Sequence, residues 1–310
     1  MGRRPEAGGS LSRREGFGAA SQLARGAGPV TRYEYRIVDV FTDKAFGGNP
    51  LAVFREPGKL DTATMQAIAK ELHLSETTFV FAPSSSAADH RVRIFTPDTE
   101  LPFAGHPTIG TAFVLAEGKD GTTRLEEGVG VIRVTLREGF VQMEQPLPAF
   151  SGTTISRKAA ADALGLAVEE VRSDVPIQIG SSGVPFLFVP LANMKAVRRA
   201  RRPAGLDGSV YIFAMSAERS GSHVHGRMFA EGLGVAEDPA TGSAQGPLGA
   251  YIVAHELVQA APTTRIRSEQ GFEIGRPSIL DIEVDRAGAA ITAVRVGGRC
   301  VPMGAGWLEL

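Results

Sequence analysis

Pro107-Thr108-Ile109-Gly110-Thr111-Ala112 (PTIGTA) and Pro239-Ala240-Thr241-Gly242-Ser243-Ala244 (PATGSA) are two copies of one phrase, P-x-x-G-[Ser/Thr]-A. They stand about 130 positions apart, a spacing that suits an internal duplication of domain size. Each copy opens a run of small and apolar residues, Thr111 to Ala116 in the first and Ala244 to Ala254 in the second. Each is preceded by a titratable residue, His106 or Asp238. The pair predicts two related halves, each aiming a helix N-terminus at a shared cleft.

Working outward, the elements before each copy also correspond. In the first half, Tyr33 to Thr42 alternates like a half-buried strand, and a Gly-Gly-Asn-Pro turn at 47–50 leads into a short strand, Leu51 to Phe54. Asp61 caps a helix whose apolar positions Met65, Ile68, Ala69 and Leu72 keep helical spacing, and a strand from Phe79 to Ala82 follows. Glu76 therefore sits at a helix-to-strand junction. The strand Arg91 to Thr96 precedes the first copy as His223 to Phe229 precedes the second. Pro107 suits a first helical position, where its missing N–H costs nothing. A helix apolar on every side runs through the middle of its domain. Val131 to Gln145 reads as two strands around a turn at Arg137-Glu138-Gly139. Pro146, Pro148 and Gly152 mark the crossover between halves, after which come a helix over 157–164 and strands at 185–189 and 210–215. Three further strands close the chain, and Pro247 is expected to delay or kink the second central helix.

Many strands with few helices indicate α+β architecture, each domain a curved mixed or antiparallel sheet rolled around a central helix. The expected division is a disordered leader over 1–32, an N-terminal domain over 33–145 and a C-terminal domain over 146–310, the last strand packing back on the first domain. The leader carries six arginines against two glutamates and is rich in Gly, Ala and Ser. It reads as a disordered segment, an overlong start or a transit peptide. At 43% hydrophobic and 22% charged residues the chain has ordinary globular composition, and its formal charge of -1 favours neither nucleic acid nor an anionic membrane. No apolar run reaches the roughly 20 residues of a membrane span. The single cysteine, Cys300, allows no internal disulfide, so a reducing, cytoplasmic setting is expected.

The first N–H groups of a helix lack intrahelical partners, and the macrodipole adds positive charge there. Two such termini on one cleft would seat a small carboxylate. Gly105, Gly110, Gly242 and Ala244 would let it approach the backbone closely, although any one glycine is explained as well by close helix packing. Glu76, His106 and Asp238 are candidate acid-base groups, since a carboxyl desolvated between domains has a raised pKa. On spacing alone they read equally as an exposed glutamate and two capping residues. His223 and His225 share a strand face without a ligand partner at suitable spacing, so no metal is expected. Neither a P-loop nor a GxGxxG after a strand is present, so no nucleotide cofactor is expected.

The stretches FGGNPLAVF (46–54), LSETTFV (74–80), FTPDTELPFAGHPTIGTA (95–112) and AEDPATGSA (236–244) closely resemble the PhzF-like phenazine biosynthesis family. The likeness runs from about Tyr35 to the C-terminus. It implies a diaminopimelate-epimerase-like fold, a homodimer, and catalysis without metal or organic cofactor. The type member isomerises trans-2,3-dihydro-3-hydroxyanthranilate. By motif matching, Glu76 corresponds to the proton-shuttling acid/base, and His106 and Asp238 to groups that position and polarise the substrate. Ser243 corresponds to a residue near the substrate carboxylate, between Gly105-His106 and Gly242-Ser243, and Asn49 to a substrate contact. Fold relatives that invert amino acids with two cysteines cannot be matched by a chain holding one. The function implied is an isomerase acting on a small cyclic amino acid or related carboxylate. An epimerase or lyase on another carboxylate and a non-catalytic small-molecule-binding protein are the alternatives.

Overall fold

A computed structural model describes residues 30–230, 235–259 and 261–310. Of the leader expected over 1–32, residues 1–29 lie outside the described residues. Thr31 and Arg32 are tied to the far end of the chain: the Thr31 N–H donates to the Leu310 carbonyl at 2.9 Å, and Arg32 pairs with Glu309.

The first half contains β1 (Arg32–Val40), β2 (Asn49–Phe54), α1 (Thr62–Leu72), β3 (Glu76–Phe81), β4 (His90–Phe95), β5 (Glu100–Leu101), α2 (Gly105–Ala116), β6 (Gly121–Glu127), β7 (Gly130–Arg137) and β8 (Phe140–Gln145). A short β9 (Ala149–Ser151) and α3 (Arg157–Leu164) lead into the second half. That half contains β10 (Gln178–Ser181), β11 (Pro185–Pro190), α4 (Met194–Arg199), β12 (Ser209–Ala214), β13 (Val224–Ala230), β14 (Val235–Asp238), α5 (Gly242–Ala254), β15 (Thr263–Gln270), β16 (Ser278–Ala287) and β17 (Ala290–Glu309). The architecture is mixed α+β.

Strand pairing repeats between the halves. β1 and β2 are antiparallel, β2 and β3 parallel across α1, β3–β4 and β4–β5 antiparallel, and β4 and β6 parallel across α2. β10 and β11, β11 and β12 across α4, β12–β13, β13–β14, and β13 with β15 across α5 follow the same sequence of senses. Antiparallel pairs β6–β7–β8 and β15–β16–β17 end each series. β17 joins the two: Val294 to Arg299 pair with β8, and Cys300 to Glu309 pair with β1.

Local sequence explains these elements. α1 starts where Asp61 Oδ1 accepts from the Thr64 N–H at 2.8 Å and stops at His73, whose left-handed backbone (φ 50) returns its N–H to the Ala69 carbonyl. In β7 only Ile132, Val134 and Leu136 are buried, the period-two pattern of a strand with one wet face. Ile109 of α2 is buried among Val38, Leu51, Val134 and Val141, whereas Leu248 and Tyr251 of α5 pack with Phe188, Phe213 and Ile282. Each such side chain contributes about 1.5–3 kcal/mol.

Three expectations change. α2 begins at Gly105, so Pro107 is its third residue, still within the turn whose N–H groups need no helical partner. α5 runs unbroken from Gly242 to Ala254 with Pro247 inside it; the helix is buried nearly throughout, and its packing outweighs the one bond that proline denies to the Ser243 carbonyl. The repeated phrase is out of register with the repeated fold. Pro107 to Ala112 lies within α2, whereas Pro239 to Thr241 precedes α5, so the residues in equivalent positions are Gly105-His106 and Gly242-Ser243.

Candidate active site

The N-termini of α2 and α5 meet backbone to backbone. A Cβ on Gly105 would lie 2.3 Å from the Gly242 carbonyl carbon and the Ser243 nitrogen, and one on Gly242 would lie 3.0 Å from Gly105. These glycines therefore serve first to let the helix ends touch. Gly110 and Ala244 do not face the cleft: a Cβ on Gly110 would strike Leu51 and Val40 at 2.6 and 2.7 Å, and Ala244 is buried in the core around α5. Neither helix has a side-chain cap at Ala104 or Thr241. Two uncapped, buried termini concentrate partial positive charge and free N–H donors at one point.

Glu76, His106, Asp238, Gly105, Gly242 and Ser243 all line one small, partly open cavity of about 30 Å³ at this point. Glu76 opens β3, four residues after α1 ends, so the sharp left-handed stop at His73 delivers it to the cleft. Asn49 lies behind the cavity. Its Nδ2 donates to Asp238 Oδ1 at 2.7 Å and the Ala240 carbonyl at 3.1 Å, and stands 3.1 Å from His106 Nδ1. The contacts to oxygen acceptors fix the amide orientation and engage both Nδ2 hydrogens, and since an amide nitrogen accepts nothing, His106 Nδ1 faces it without a proton of its own. Neutral His106 then carries its proton on Nε2, the atom facing Glu76. Asn49 is thus an organiser of the site and does not line the cavity.

His106 Nε2 and Glu76 Oε2 lie 3.3 Å apart, yet both are buried with no hydrogen-bond partner. Buried polar atoms are seldom left unpaired, so these two, side by side at a small cavity, point to partners supplied by a ligand. Burial pushes the Glu76 carboxyl well above its ordinary range, and the nearby Asp238 charge pushes it further. Burial lowers His106 to about 3, keeping the ring neutral. Burial also raises Asp238, against the opposing hydrogen bonds from Thr241 and Asn49.

Sequence reasoning missed several supports. Thr241 Oγ1 donates to Asp238 Oδ2 at 2.6 Å, and Gln270 Nε2 donates to the Asp238 carbonyl and to Thr241 Oγ1 at 2.7 and 2.9 Å. Arg276 of the second half grips the glycine turn of the first, donating to the carbonyls of Gly47 and Gly48 and to Asp39 Oδ1 at 2.7, 2.9 and 2.6 Å. That turn needs glycine, because Gly48 has φ +63 and a Cβ there would lie 2.2 Å from the Val40 carbonyl oxygen. Thr241 lies inside the repeated phrase and could have been found there. Gln270 and Arg276 carry no local signal.

His223 and His225 do not form a metal centre with each other. His225 is buried between Glu269 and Glu273 at 3.1 and 2.8 Å. Burial alone would lower its pKa, but the two carboxylates prevail and raise it to about 9. Among the described residues no group of three or more His, Cys, Asp or Glu is arranged to hold a metal ion, and no helix is long and apolar enough to cross a membrane. A wider groove of about 630 Å³, lined in part by Phe41, Lys44, Arg219 and Arg299, contains none of the candidate site residues.

A family model described as phenazine biosynthesis-like protein matches residues 38–306. An uncharacterized isomerase of Mesorhizobium japonicum is 38% identical over 299 residues, covering 88% of this chain and 98% of that protein. A trans-2,3-dihydro-3-hydroxyanthranilate isomerase of Pseudomonas fluorescens is 36% identical over 286 residues, covering 90% of this chain and all of that one. The crystal structure of a Bacillus anthracis phenazine biosynthesis protein superposes with a TM-score of 0.80 at 26% identity, over 90% of this chain and all of the other.

Proposed function

The chain belongs to the phenazine biosynthesis-like protein family, and on that premise we propose that it is an isomerase that moves a proton within a small cyclic amino acid or related carboxylate, without a cofactor, using Glu76 as acid and base. The observation that carries this reading is the pair of unpartnered buried atoms, Glu76 Oε2 and His106 Nε2, 3.3 Å apart at the cavity where two helix N-termini meet.

The geometry supports the following roles. The backbone donors of Gly105-His106 and Gly242-Ser243 receive the substrate carboxylate and stabilise negative charge that grows as the C–H bond weakens. His106 presents Nε2–H to the substrate as a neutral donor, because Nδ1 faces the Asn49 amide nitrogen, which accepts no hydrogen bond. Asp238, fixed by Asn49 and Thr241, faces the substrate as an anion that accepts from an amino group. Glu76, once ionised, is a stronger base than an ordinary carboxylate because burial has raised its pKa. It takes a proton from carbon and returns it elsewhere on the same face. Stereoinversion by two thiols does not suit a chain whose lone cysteine, Cys300, pairs with Val40 in the sheet.

A cavity of about 30 Å³ has room for water but not for a ring. The reading therefore treats the halves as two domains that part to admit substrate and close to exclude water. It also carries with it a homodimer in the cytoplasm.

The test is incubation with trans-2,3-dihydro-3-hydroxyanthranilate and with other cyclic amino acids in D2O, followed by NMR. Turnover with partial retention of the migrating hydrogen is expected for the native chain, and a fall of at least a thousandfold for Glu76→Gln. Undiminished turnover in that variant would remove Glu76 from its role, and ligand binding without hydrogen movement for every candidate would favour a binding protein.

A further inference from the structure

Glu127 ends β6 and is buried behind the first turn of α2. Its Oε1 lies 2.7 Å from Thr108 Oγ1, its Oε2 has no partner, and Thr108 Oγ1 also lies 2.7 Å from the Ala104 carbonyl oxygen. A threonine hydroxyl has one hydrogen. If it goes to Ala104, the i−4 carbonyl, the Glu127 contact needs a proton of its own, and the carboxylic acid donates to Thr108. If Glu127 is instead an anion, Thr108 turns towards it, and the second carboxylate oxygen stays buried and bare.

The second half shows which alternative suits the position. Gln270 ends β15 as Glu127 ends β6, and it approaches Gln245, the fourth residue of α5, as Glu127 approaches Thr108, the fourth residue of α2. An uncharged amide thus stands behind one anion-receiving helix end, and a carboxyl stands behind the other.

We propose that Glu127 is a positioning residue whose neutral acid form, through Thr108, holds the Ala104 carbonyl and keeps the α2 terminus fit to receive an anion, and whose ionisation weakens substrate carboxylate binding. The reasoning rests on the proposed function, because the anion is the substrate's. A negative charge one hydroxyl away from the N-cap of α2 opposes the partial positive charge on which Gly105 and His106 rely. Burial raises Glu127 to about 8, against the lowering bond from Thr108, so both forms are populated near neutral pH. The charged groups on the elements packed against β6 are His90, Arg91 and Arg93 on β4, Arg133 and Arg137 on β7, and His106 on α2, with Glu100 and Glu126 on the outer groove. Arg93 is bound to Glu100, Arg133 lies near Glu144, and Glu126 accepts from Ser84; none of these cations neutralises Glu127.

The experiment uses the full chain and Glu127→Gln, which keeps shape and donor but cannot ionise. Side-chain carboxyl carbons of labelled glutamates are followed by NMR from pH 5 to 10 together with the Gly105 and His106 amides. A glutamate signal with a midpoint near 8, missing from the variant, and amide shifts with that same midpoint, also missing from the variant, are expected. KM for trans-2,3-dihydro-3-hydroxyanthranilate should then rise on the order of tenfold between pH 7 and 9 in the native chain, and stay flat in the variant. A Glu127 signal already ionised at pH 6, amides that do not follow it, or the same KM rise in Glu127→Gln each overturn the proposal. Absence of turnover at every pH, with the coupled NMR titrations present, refutes the proposed reaction while upholding the link between Glu127 and the helix end.

Discussion

Adding one methyl group at Gly105 tests whether contact between the two helix ends builds the anion seat. The Cβ of Gly105→Ala would sit 2.3 Å from the Gly242 carbonyl carbon and the Ser243 nitrogen and 2.5 Å from Gly242 Cα, all backbone atoms at the start of α5. Side chains cannot rotate to relieve this overlap. Restoring ordinary contact moves the helix ends apart by about 1 Å, a displacement of reacting groups that costs on the order of 100-fold in rate. Overpacking would cost about 1–3 kcal/mol of stability. Two neighbours act as controls. In Gly242→Ala the Cβ meets the Phe41 ring tip at 2.9 Å and Gly105 at 3.0 Å, so the rotatable phenyl absorbs part of the strain and the loss should be smaller. In Gly110→Ala the clash is with the Leu51 and Val40 side chains in the core, so stability should fall while the folded enzyme keeps most of its activity. The assays are kcat/KM and thermal unfolding on all three. Native kcat/KM in Gly105→Ala, or a greater loss in Gly110→Ala, would show that the helix contact does not set the site.

Asn49→Ala removes the amide that donates to Asp238 and Ala240 and faces His106 Nδ1. Each buried acceptor left bare costs about 1–3 kcal/mol, so stability should fall by about that much, as read by denaturant unfolding, and 15N shifts should show His106 losing its Nε2–H preference; an unchanged tautomer would contradict the assigned contact. Glu127 makes a separate prediction about stability. A carboxyl with its folded pKa raised holds a proton that the unfolded chain releases, so its contribution falls as pH rises from about 4.5 towards 8. Glu127→Gln should therefore be more stable than the native chain by roughly 2–3 kcal/mol near pH 7, the difference shrinking below pH 5, as read by denaturant unfolding; a difference independent of pH would contradict it.

Periodicity exposed α1 and β7 because their buried positions hold apolar residues, and it exposed β1 and β8, despite buried Asp39 and Gln145, because Val38, Val40, Val141 and Met143 keep the alternation. β6 was unreadable for the opposite reason: in GTTRLEE its buried positions near the end are Leu125 and Glu127, and a buried glutamate breaks the alternation that announces a strand. β9 hides in a proline-rich crossover and exposes two of its three residues. At the site, Glu76, His106, Asp238 and Asn49 could be singled out only because each sits in a stretch that resembles the family, since spacing alone reads the first three as an exposed glutamate and two capping residues. Glu269 and Glu273, which hold His225, were not, because the parallel pairing of β13 with β15 brings together residues 44 and 48 positions apart. Arg276 reaches Asp39 across 237 positions. The repeated phrase was informative about duplication and misleading about register, since short runs of Gly, Ala and Thr recur for packing reasons wherever a buried helix begins.

One constraint on the substrate follows from the charges alone. Under the proposed function a carboxylate binds beside Glu76 and Asp238, two buried carboxyls whose pKa values are both raised. With Asp238 ionised, its charge helps to hold the proton on Glu76, and a protonated Glu76 cannot act as a base. A simple carboxylate would add negative charge and tighten that hold. A zwitterionic amino acid brings an ammonium that Asp238 can accept, which cancels the charge opposing ionisation and lets Glu76 release its proton as the substrate settles. The amino group would thus switch on the base as well as position the ring. A cyclic amino acid and its des-amino analogue should then both bind, but only the first should exchange its ring hydrogen with Glu76 in D2O. Equal exchange in the two would show that the ionisation of Glu76 does not depend on neutralising Asp238.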